Sequence, residues 1–339
     1  MTRRLLAGIF MILAMALCLH TQAAPDEKKD DKKKDDKKPA KFVAIDPEKA
    51  GPDYAVQGEY VGETAEKAKL GAEVVAKGNG TFLVNFLPGG LRGEGGDYAK
   101  HIDATAKTEG ETTAVTSKDG KWTATIGGSA LTGKTAEGTA FTLKRVVRVS
   151  KTMGEKPPEG AKVLFDGKLT EEWPNGKLVD GNLLGSDIDS KSLFTDYKIH
   201  VEFRLSYMPF EKDQQRSNSG VYMQHRYEVQ VLDSFGLKGE NNECGGIYTL
   251  HKPLVNMCYP PLTWQTYDID FTAAKFEDGK KVAKARATVY HNGVLIHDNV
   301  ELNNPTGGGR AEDEKPGAIH LQGHGGQVQY RNIWVVEKK

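Results

Sequence analysis

The sequence contains little cysteine and carries no net charge. Only 3 of its 339 residues are cysteines, and 46 basic residues balance 46 acidic residues. A neutral chain has no overall electrostatic field that would attract nucleic acid, so we expect no nucleic-acid partner. Neither Cys244 nor Cys258 lies in a recognisable nucleophile motif, which argues against thiol catalysis.

The sequence also lacks an apolar run long enough to span a membrane comfortably. Two arginines precede an apolar run over residues 5–19, and Ala23 and Ala24 follow it. This pattern predicts a secretory signal over residues 1–24, with an uncleaved anchor as the alternative. We therefore expect export to the periplasm, the cell envelope or the medium, and no stable membrane span once the signal is removed. In such an oxidising compartment, Cys244 and Cys258 form a disulfide or remain two buried thiols; both alternatives stay open.

Long amphipathic helical repeats are missing as well, whereas short alternating segments and turns are common. The chain has 38 glycines and 14 prolines, and this combination predicts an all-β protein. Residues 25–41 are almost entirely Lys and Asp, which predicts a disordered tether. We expect a small antiparallel β domain of unknown role at 42–150, a Pro-containing linker at 151–161 and a second β domain at 162–337.

Four segments of the second domain alternate clearly enough to assign apolar side chains to a core and polar side chains to the opposite face. A face that is merely solvated usually holds Lys, Thr and Glu. This one holds His, Glu, Gln, Arg and Tyr, which suit hydrogen bonding to sugar hydroxyls and stacking on sugar rings. We expect one shared ligand-binding groove, although alternation alone also fits a plain solvated face. Its residues are His200, Glu202, Arg204, Glu228, Gln230, Tyr290, His320, Gln322 and His324.

Two kinds of catalytic site are conceivable on these residues. Glu228 and Asp233 imitate the outer acids of retaining glucanases, but residues five apart in a regular strand face opposite sides. A divalent metal site is also open, with His320, His324 and His200 as candidate ligands. No close-spaced motif such as HExxH supports it, so hydrogen-bonding histidines are the preferred interpretation, and no cofactor is certain.

The second domain resembles the 3-keto-disaccharide hydrolase domain family over residues 160–337. The resemblance rests on an ordered set of short pieces rather than on any single one. They are VLFDG at 163–167, LVDGNLLG at 178–185, LFTDYKIHVEFR at 193–204, SNSG at 217–220, YEVQVLD at 227–233, GGIY at 245–248, HNG at 291–293 and GAIHLQGHGGQVQYRNIWV at 317–335.

This resemblance implies a two-sheet concanavalin-like jelly-roll sandwich with a sugar site on its concave face. It also implies cleavage of glycosides or disaccharides already oxidised at C3, by elimination across C1 and C2 followed by hydration. A base and an oxyanion stabiliser would be required. The roles that we assign on this basis are base for Glu228, acid or alternative base for His324, and substrate binding for Asn218, Gln230, Gln322, Arg331, Glu202, Arg204 and Tyr290.

Two other functions remain open from the sequence. A non-catalytic, lectin-like envelope protein would use the same face to bind carbohydrate without turnover. A structural envelope protein would show no sugar affinity at all. The expected partner in the first two cases is an oligosaccharide or a glycoside.

Overall fold

A computed structural model describes residues 41–339. The predicted signal peptide, and the predicted tether up to residue 40, lie outside this described part. Strands make up 48% of the structure and helices 5%, so the all-β prediction is confirmed. The helices are short: α1 (Pro52–Val56) and three 3-10 turns at Pro47–Lys49, Tyr98–Lys100 and Asp213–Gln215.

The first eight strands form a closed antiparallel barrel. Alternating residues such as Phe82, Val84 and Phe86 are buried in its interior, as the period of a strand requires. Pairing of the first strand with the eighth closes the barrel and leaves no free sheet edge. The strands are β1 (Gly58–Thr64), β2 (Lys69–Gly78), β3 (Thr81–Pro88), β4 (Ile102–Glu109), β5 (Thr112–Ser117), β6 (Thr123–Gly127), β7 (Ala130–Lys134) and β8 (Ala140–Val146).

The remaining strands form a two-sheet sandwich and a small ribbon. The large sheet contains β9 (Lys162–Phe165), β10 (Leu178–Val179), β11 (Leu183–Leu184), β13 (Tyr197–Arg204), β16 (Trp264–Thr272), β19 (Ala285–His291), β20 (Val294–Leu302) and β22 (Gln329–Glu337). The small sheet has the order β12 (Ile188–Phe194), β21 (Gly317–Leu321), β14 (Asn218–Met223) and β15 (Tyr227–Leu232). The ribbon pairs β17 (Lys275–Glu277) with β18 (Lys280–Ala283).

The core of the sandwich lies between the two sheets. Val201 and Phe203 of the large sheet share one buried cluster with Val229 and Ile319 of the small sheet. The polar residues that alternate with them therefore point away from the core, on opposite sides of the sandwich. Strand alternation tells which side of its own sheet a residue occupies, but not which sheet the strand joins. The expected single groove is wrong for this reason.

The barrel and the sandwich bury side chains against each other. Arg92 is buried in an ion pair with Glu73, 2.6 Å from Nη2 to Oε2, and also donates to the carbonyl of Leu237. Asn85 Nδ2 donates to the Gly236 carbonyl at 2.7 Å. These contacts join barrel strands to the loop that follows β15.

Cys244 and Cys258 are buried free thiols in this structure. Across residues 41–339, no helix is both long enough and apolar enough to cross a membrane.

Candidate functional site

The β14–β15 hairpin positions the central residues of the small sheet's outer face. Gln224 and His225 both have a φ of 53°, in the left-handed region, and with Arg226 they form the three-residue connection from Met223 to Tyr227. This turn sets the register, so that Tyr222 lies opposite Glu228 and Gly220 lies opposite Gln230. Residues paired in this way project their side chains from the same face.

Glu228 lies on this face and is 1% exposed. Its carboxyl group leans across the strand over Gly220, where any larger side chain would collide with it. Burial raises the pKa of Glu228 to about 8, although a hydrogen bond with Tyr222 opposes the rise. Its buried Oε1 has no hydrogen-bond partner among the described residues. Glu228 Oε1 is therefore a buried acceptor that the described part of the protein leaves unsatisfied.

Tyr222 connects Glu228 to the neighbouring groups. Its hydroxyl lies 2.9 Å from Glu228 Oε2 and 2.7 Å from the carbonyl oxygen of Gly307, and it accepts a bond from Gln322 Nε2 at 3.0 Å. The hydroxyl has one proton and can donate to only one of the two oxygens. When Glu228 is protonated, it can donate to Tyr222 while Tyr222 donates to Gly307, and all three groups are satisfied.

Three amide side chains continue the face beyond Gly220. Asn218 Nδ2 donates to Gln214 Oε1 at 3.1 Å, and Gln230 Nε2 donates to the same oxygen at 3.2 Å. The buried Asn218 Oδ1 and Gln230 Oε1 have no hydrogen-bond partner among residues 41–339. Free acceptors next to a buried carboxyl suit a ligand that brings hydroxyl donors.

Loop residues cover the middle of the face. Glu228 donates its backbone N–H to Thr306 Oγ1 at 2.9 Å, and the Tyr248 N–H donates to the Glu228 carbonyl at 3.1 Å. Gly307 lies against the Tyr248 ring, and Gly308 lies against the Tyr222 hydroxyl. These loops exclude water from Glu228, and this exclusion raises the pKa of its carboxyl.

The predicted acid His324 is exposed, on the loop between β21 and β22. Its side chain makes no hydrogen bond to any other residue of the described chain. His320 instead lies on the small sheet, where its Nδ1 is 2.9 Å from Asp189 Oδ1. His225 stacks on the His320 ring, with centroids 3.9 Å apart.

His200 lies on the outer face of the large sheet, so the predicted metal set of His200, His320 and His324 is wrong. Its Nδ1 is 2.6 Å from Asp268 Oδ1. Burial alone would lower the pKa of His200, but its hydrogen bond to Asp268 and its ion pair with Glu202, 3.7 Å from Nε2 to Oε1, outweigh burial and raise it to about 9. The protonated ring belongs to an ion-pair network that does not contact Glu228.

Glu202 and Arg331 belong to this same network, which corrects their assignment to a groove with Glu228. Arg331 Nε donates to Glu202 Oε2 at 2.6 Å, and the Gly154 N–H donates to Glu202 Oε1, also at 2.6 Å. Burial favours the neutral acid, but the ion pair with His200 and hydrogen bonds from Asn332, Arg331 and Gly154 lower the pKa of Glu202 to about 2. The network fastens the segment Ser150–Glu155 onto the large sheet.

Arg204 and Tyr290 are also separated from Glu228. Arg204 pairs with Asp180 at 3.0 Å and packs over the Trp264 ring. Tyr290 is 41% exposed on β19, beside Asp268 of the same sheet. Both residues are correctly predicted to point away from the core, but they share a face with His200.

The glucanase-type acid pair does not form. Asp233 Oδ2 accepts two bonds from Arg216, at 2.8 and 2.6 Å, and both side chains are buried. Asp233 is therefore occupied by a structural ion pair. Of these two acids, Glu228 is the one that makes no ion pair within the described residues.

Comparison with known proteins identifies the sandwich. The 3-keto-alpha-glucoside-1,2-lyase-like domain matches residues 160–336, just over half of the chain. The chain belongs to this family. The matched region of this lyase-like domain includes both sheets of the sandwich and every residue described above on the small sheet.

Two crystal structures from Parabacteroides distasonis, each of a protein described as a candidate glycosyl hydrolase, also match. The first is 31% identical with a TM-score of 0.48, and the match covers 53% of this chain and 85% of that chain. The second is 17% identical with a TM-score of 0.34, and the match covers 56% and 93%. No curated protein matches this sequence.

Sequence reasoning missed three residues of the lyase-like domain's small sheet: Tyr222, His225 and Asp189. Tyr222 could have been found, because a three-residue connection at 224–226 places it opposite Glu228. Asp189 carries no such signal. It reaches the site only because β12 pairs with β21, more than 120 residues later in the chain.

Proposed function

We propose that this protein is an exported enzyme that cleaves 3-keto-glycosides, by elimination across C1 and C2 followed by hydration. Membership of the lyase-like family supports a carbohydrate-active role. The observation that carries the specific proposal is the buried Glu228 carboxyl, with a free Oε1 and a pKa of about 8, next to Tyr222 and free amide acceptors.

The reaction begins with proton removal from C2, which a ketone at C3 makes acidic. Glu228 takes this proton as a carboxylate, and the electron pair forms an enolate across C2 and C3. The enolate then collapses to a C1=C2 double bond, and the C1–O bond breaks. Water adds at C1 of the resulting enone to give the free 3-keto sugar.

Glu228 suits this task because its pKa lies close to physiological pH. A base with such a pKa is strong enough to remove an activated C–H proton, yet is present in both protonation states. The departing oxygen needs one proton, and Glu228 has just acquired one. The Tyr222 hydroxyl, 2.9 Å from Glu228 Oε2, is placed to relay it.

The amides position the sugar ring. Asn218 and Gln230 offer free carbonyl oxygens to its hydroxyl groups, and Gln322 offers a side-chain amide beside Tyr222. These three retain the substrate-binding roles expected from the sequence. Arg331, Glu202, Arg204, Tyr290 and the exposed His324 are not assigned to this site.

The proposal is tested with a 3-keto-disaccharide and a chromogenic 3-keto-glucoside. Wild-type protein is expected to release the aglycone, and Glu228→Gln is expected to lower kcat/KM by about a thousandfold, the scale of a lost general base. Glu171→Gln is the matched control, because Glu171 is an exposed surface residue. Sugar binding without turnover by the wild type would favour the lectin-like alternative and overturn the proposal.

Export is the second part of the proposal and rests on the pattern of residues 1–24. Expression of the full chain in a Gram-negative host should yield periplasmic protein that begins near residue 25. Cell fractionation and N-terminal sequencing measure this outcome. Full-length protein confined to the cytoplasm would contradict it.

A further inference from the structure

A second polar cluster adjoins Tyr222 on the small sheet's outer face. Asp189 Oδ1 lies 2.7 Å from His225 Nδ1 and 2.9 Å from His320 Nδ1. The two imidazole rings are stacked with an interplanar angle of 10°, so both present the same nitrogen to one oxygen. The mechanism proposed above uses none of these three groups.

Hydrogen bonds account for only part of this arrangement. His320 Nδ1 has a normal hydrogen bond to Asp189, whereas His225 Nδ1 is buried and lacks a hydrogen-bond partner among the described residues although it is close to the same oxygen. A buried nitrogen that faces a carboxylate without a hydrogen bond needs another explanation.

We propose that Asp189, His225 and His320 bind one divalent transition-metal ion beside the Glu228 site. Ligand atoms about 2.0–2.2 Å from a metal lie about 3 Å from one another. Each histidine Nδ1 lies about that far from Asp189 Oδ1, and all three atoms lie within 4.8 Å of one another. Two imidazoles and one carboxylate suit Zn²⁺, Fe²⁺, Co²⁺ or Mn²⁺.

The surroundings of the cluster agree with metal binding. Arg310 donates to Asp189 Oδ2 at 2.8 Å, which orients the carboxylate and leaves Oδ1 for the ion. All three side chains are partly exposed, so positions on the ion stay open for substrate oxygens.

A similar group on the large sheet provides an instructive contrast. Glu155, His200 and Asp268 also bring three potential ligand atoms together. There His200 is completely buried and residues 150–155 bond to the group, so the inference is confined to the more open cluster on the small sheet.

The role assigned to the ion rests on the proposed function. The Tyr222 ring centroid is 5.2 Å from that of His320 and 5.9 Å from that of His225, so the ion would lie next to the proton-transfer groups. It would bind two neighbouring oxygens of the keto sugar, the C3 carbonyl and an adjacent hydroxyl. Such an ion stabilises the negative charge of the enolate.

Metal binding is tested without any sugar. Full-length protein is stripped with EDTA and titrated with Co²⁺, Zn²⁺ and Mn²⁺ by calorimetry, and the Co²⁺ complex is followed by its visible absorption. We expect one ion per chain with a micromolar or lower Kd. His320→Gln and His225→Asn should each weaken binding at least a hundredfold. Asn tolerates the left-handed turn, and His324→Ala, an exposed histidine on the next loop, is the matched control for binding.

The outcomes separate this inference from the proposed function. The metal site is overturned if none of the three ions binds one-to-one to the wild type. It is also overturned if both ligand variants have native thermal melting curves and bind the ions as tightly as the wild type. If the ion binds as expected but the 3-keto-glycoside is not cleaved, the site stands and the proposed reaction fails. If cleavage proceeds equally after complete metal removal, the role in enolate stabilisation fails.

Discussion

At the scale of single residues, Glu228 links the activity of the protein to its stability. Its folded pKa of about 8 lies above the ordinary value of 4.5. The folded state therefore binds the proton more tightly than the unfolded state, and stability falls as the pH rises from about 4.5 through 8. The free energy of unfolding should fall by several kcal/mol over this range, since one pKa unit corresponds to about 1.4 kcal/mol.

Glu228→Gln should remove this loss, because an amide has no proton to release. We expect its Tm to equal that of the wild type within a few degrees at pH 5 and to exceed it clearly at pH 9. Differential scanning calorimetry at pH 5, 7 and 9 measures the difference. Glu171→Gln should follow the wild type throughout, and parallel curves for Glu228→Gln and the wild type would show that the carboxyl is not buried as described.

The sequence predicted part of this residue-level arrangement. Alternation placed Glu228, Gln230, His320 and Gln322 on one face, and the structure agrees. The role of Gly220 could not be predicted, because its missing side chain matters only once the Glu228 carboxyl lies over it. Alternation could not predict the position of His324, because β21 ends at Leu321 and alternation applies only within a strand.

At the scale of elements, the Glu202 network fixes the connection between the barrel and the sandwich. Gly154, Asn332 and Arg331 all donate to Glu202, and Thr152 Oγ1 donates to Asp268 at 2.6 Å. The low pKa of Glu202 makes its contribution present above about pH 4.5 and lost as the pH falls towards 2. The high pKa of His200 makes its contribution present below about pH 6.5 and lost as the pH rises through 9.

Glu202→Gln should therefore loosen the segment Ser150–Glu155, with a loss of about 2 kcal/mol because buried donors are left without a charged acceptor. Limited trypsin digestion at pH 6 should cut after Lys151 several times faster than in the wild type. Lys198→Gln, on the same strand but in a surface ion pair, should leave the rate unchanged. Equal cleavage rates for Glu202→Gln and wild type would refute the fastening role.

The limits of sequence reasoning are clearest at this scale. Each strand's inward and outward residues were predicted correctly for β13, β15, β19 and β21, because alternation is a local property. The sheet to which a strand belongs depends on partners such as Arg331 and Glu202, which are 129 residues apart. The residues predicted to share one groove therefore lie on two separate faces, the outer face of the large sheet and the outer face of the small sheet.

At the scale of the whole molecule, the described chain forms one compact unit from Lys41 to Lys339. The sequence indicated two β domains and a linker, and it gave no sign of the contacts between them. Asn85 and Gly236 are 151 residues apart, and Arg92 and Leu237 are 145 apart. The composition of a linker describes its local flexibility and says nothing about the surfaces that it brings together.

Arg92 is the residue through which the two parts should be coupled most strongly. It is 2% exposed, pairs with Glu73, contacts the Tyr98 ring and bonds to Leu237. Arg92→Met leaves a buried carboxylate without its cation, which typically costs about 3–5 kcal/mol. We expect calorimetry to show one unfolding transition for the wild type and a lower Tm, or two separate transitions, for Arg92→Met.

Glu73→Gln in the Arg92→Met background should recover much of the lost Tm, because it removes the unpaired charge and keeps the acceptor for Asn85. Lys118→Met, which removes a largely exposed partner of Asp103, should change the Tm little. A wild-type Tm in Arg92→Met, or no recovery in the double variant, would mean that other contacts join the barrel to the sandwich.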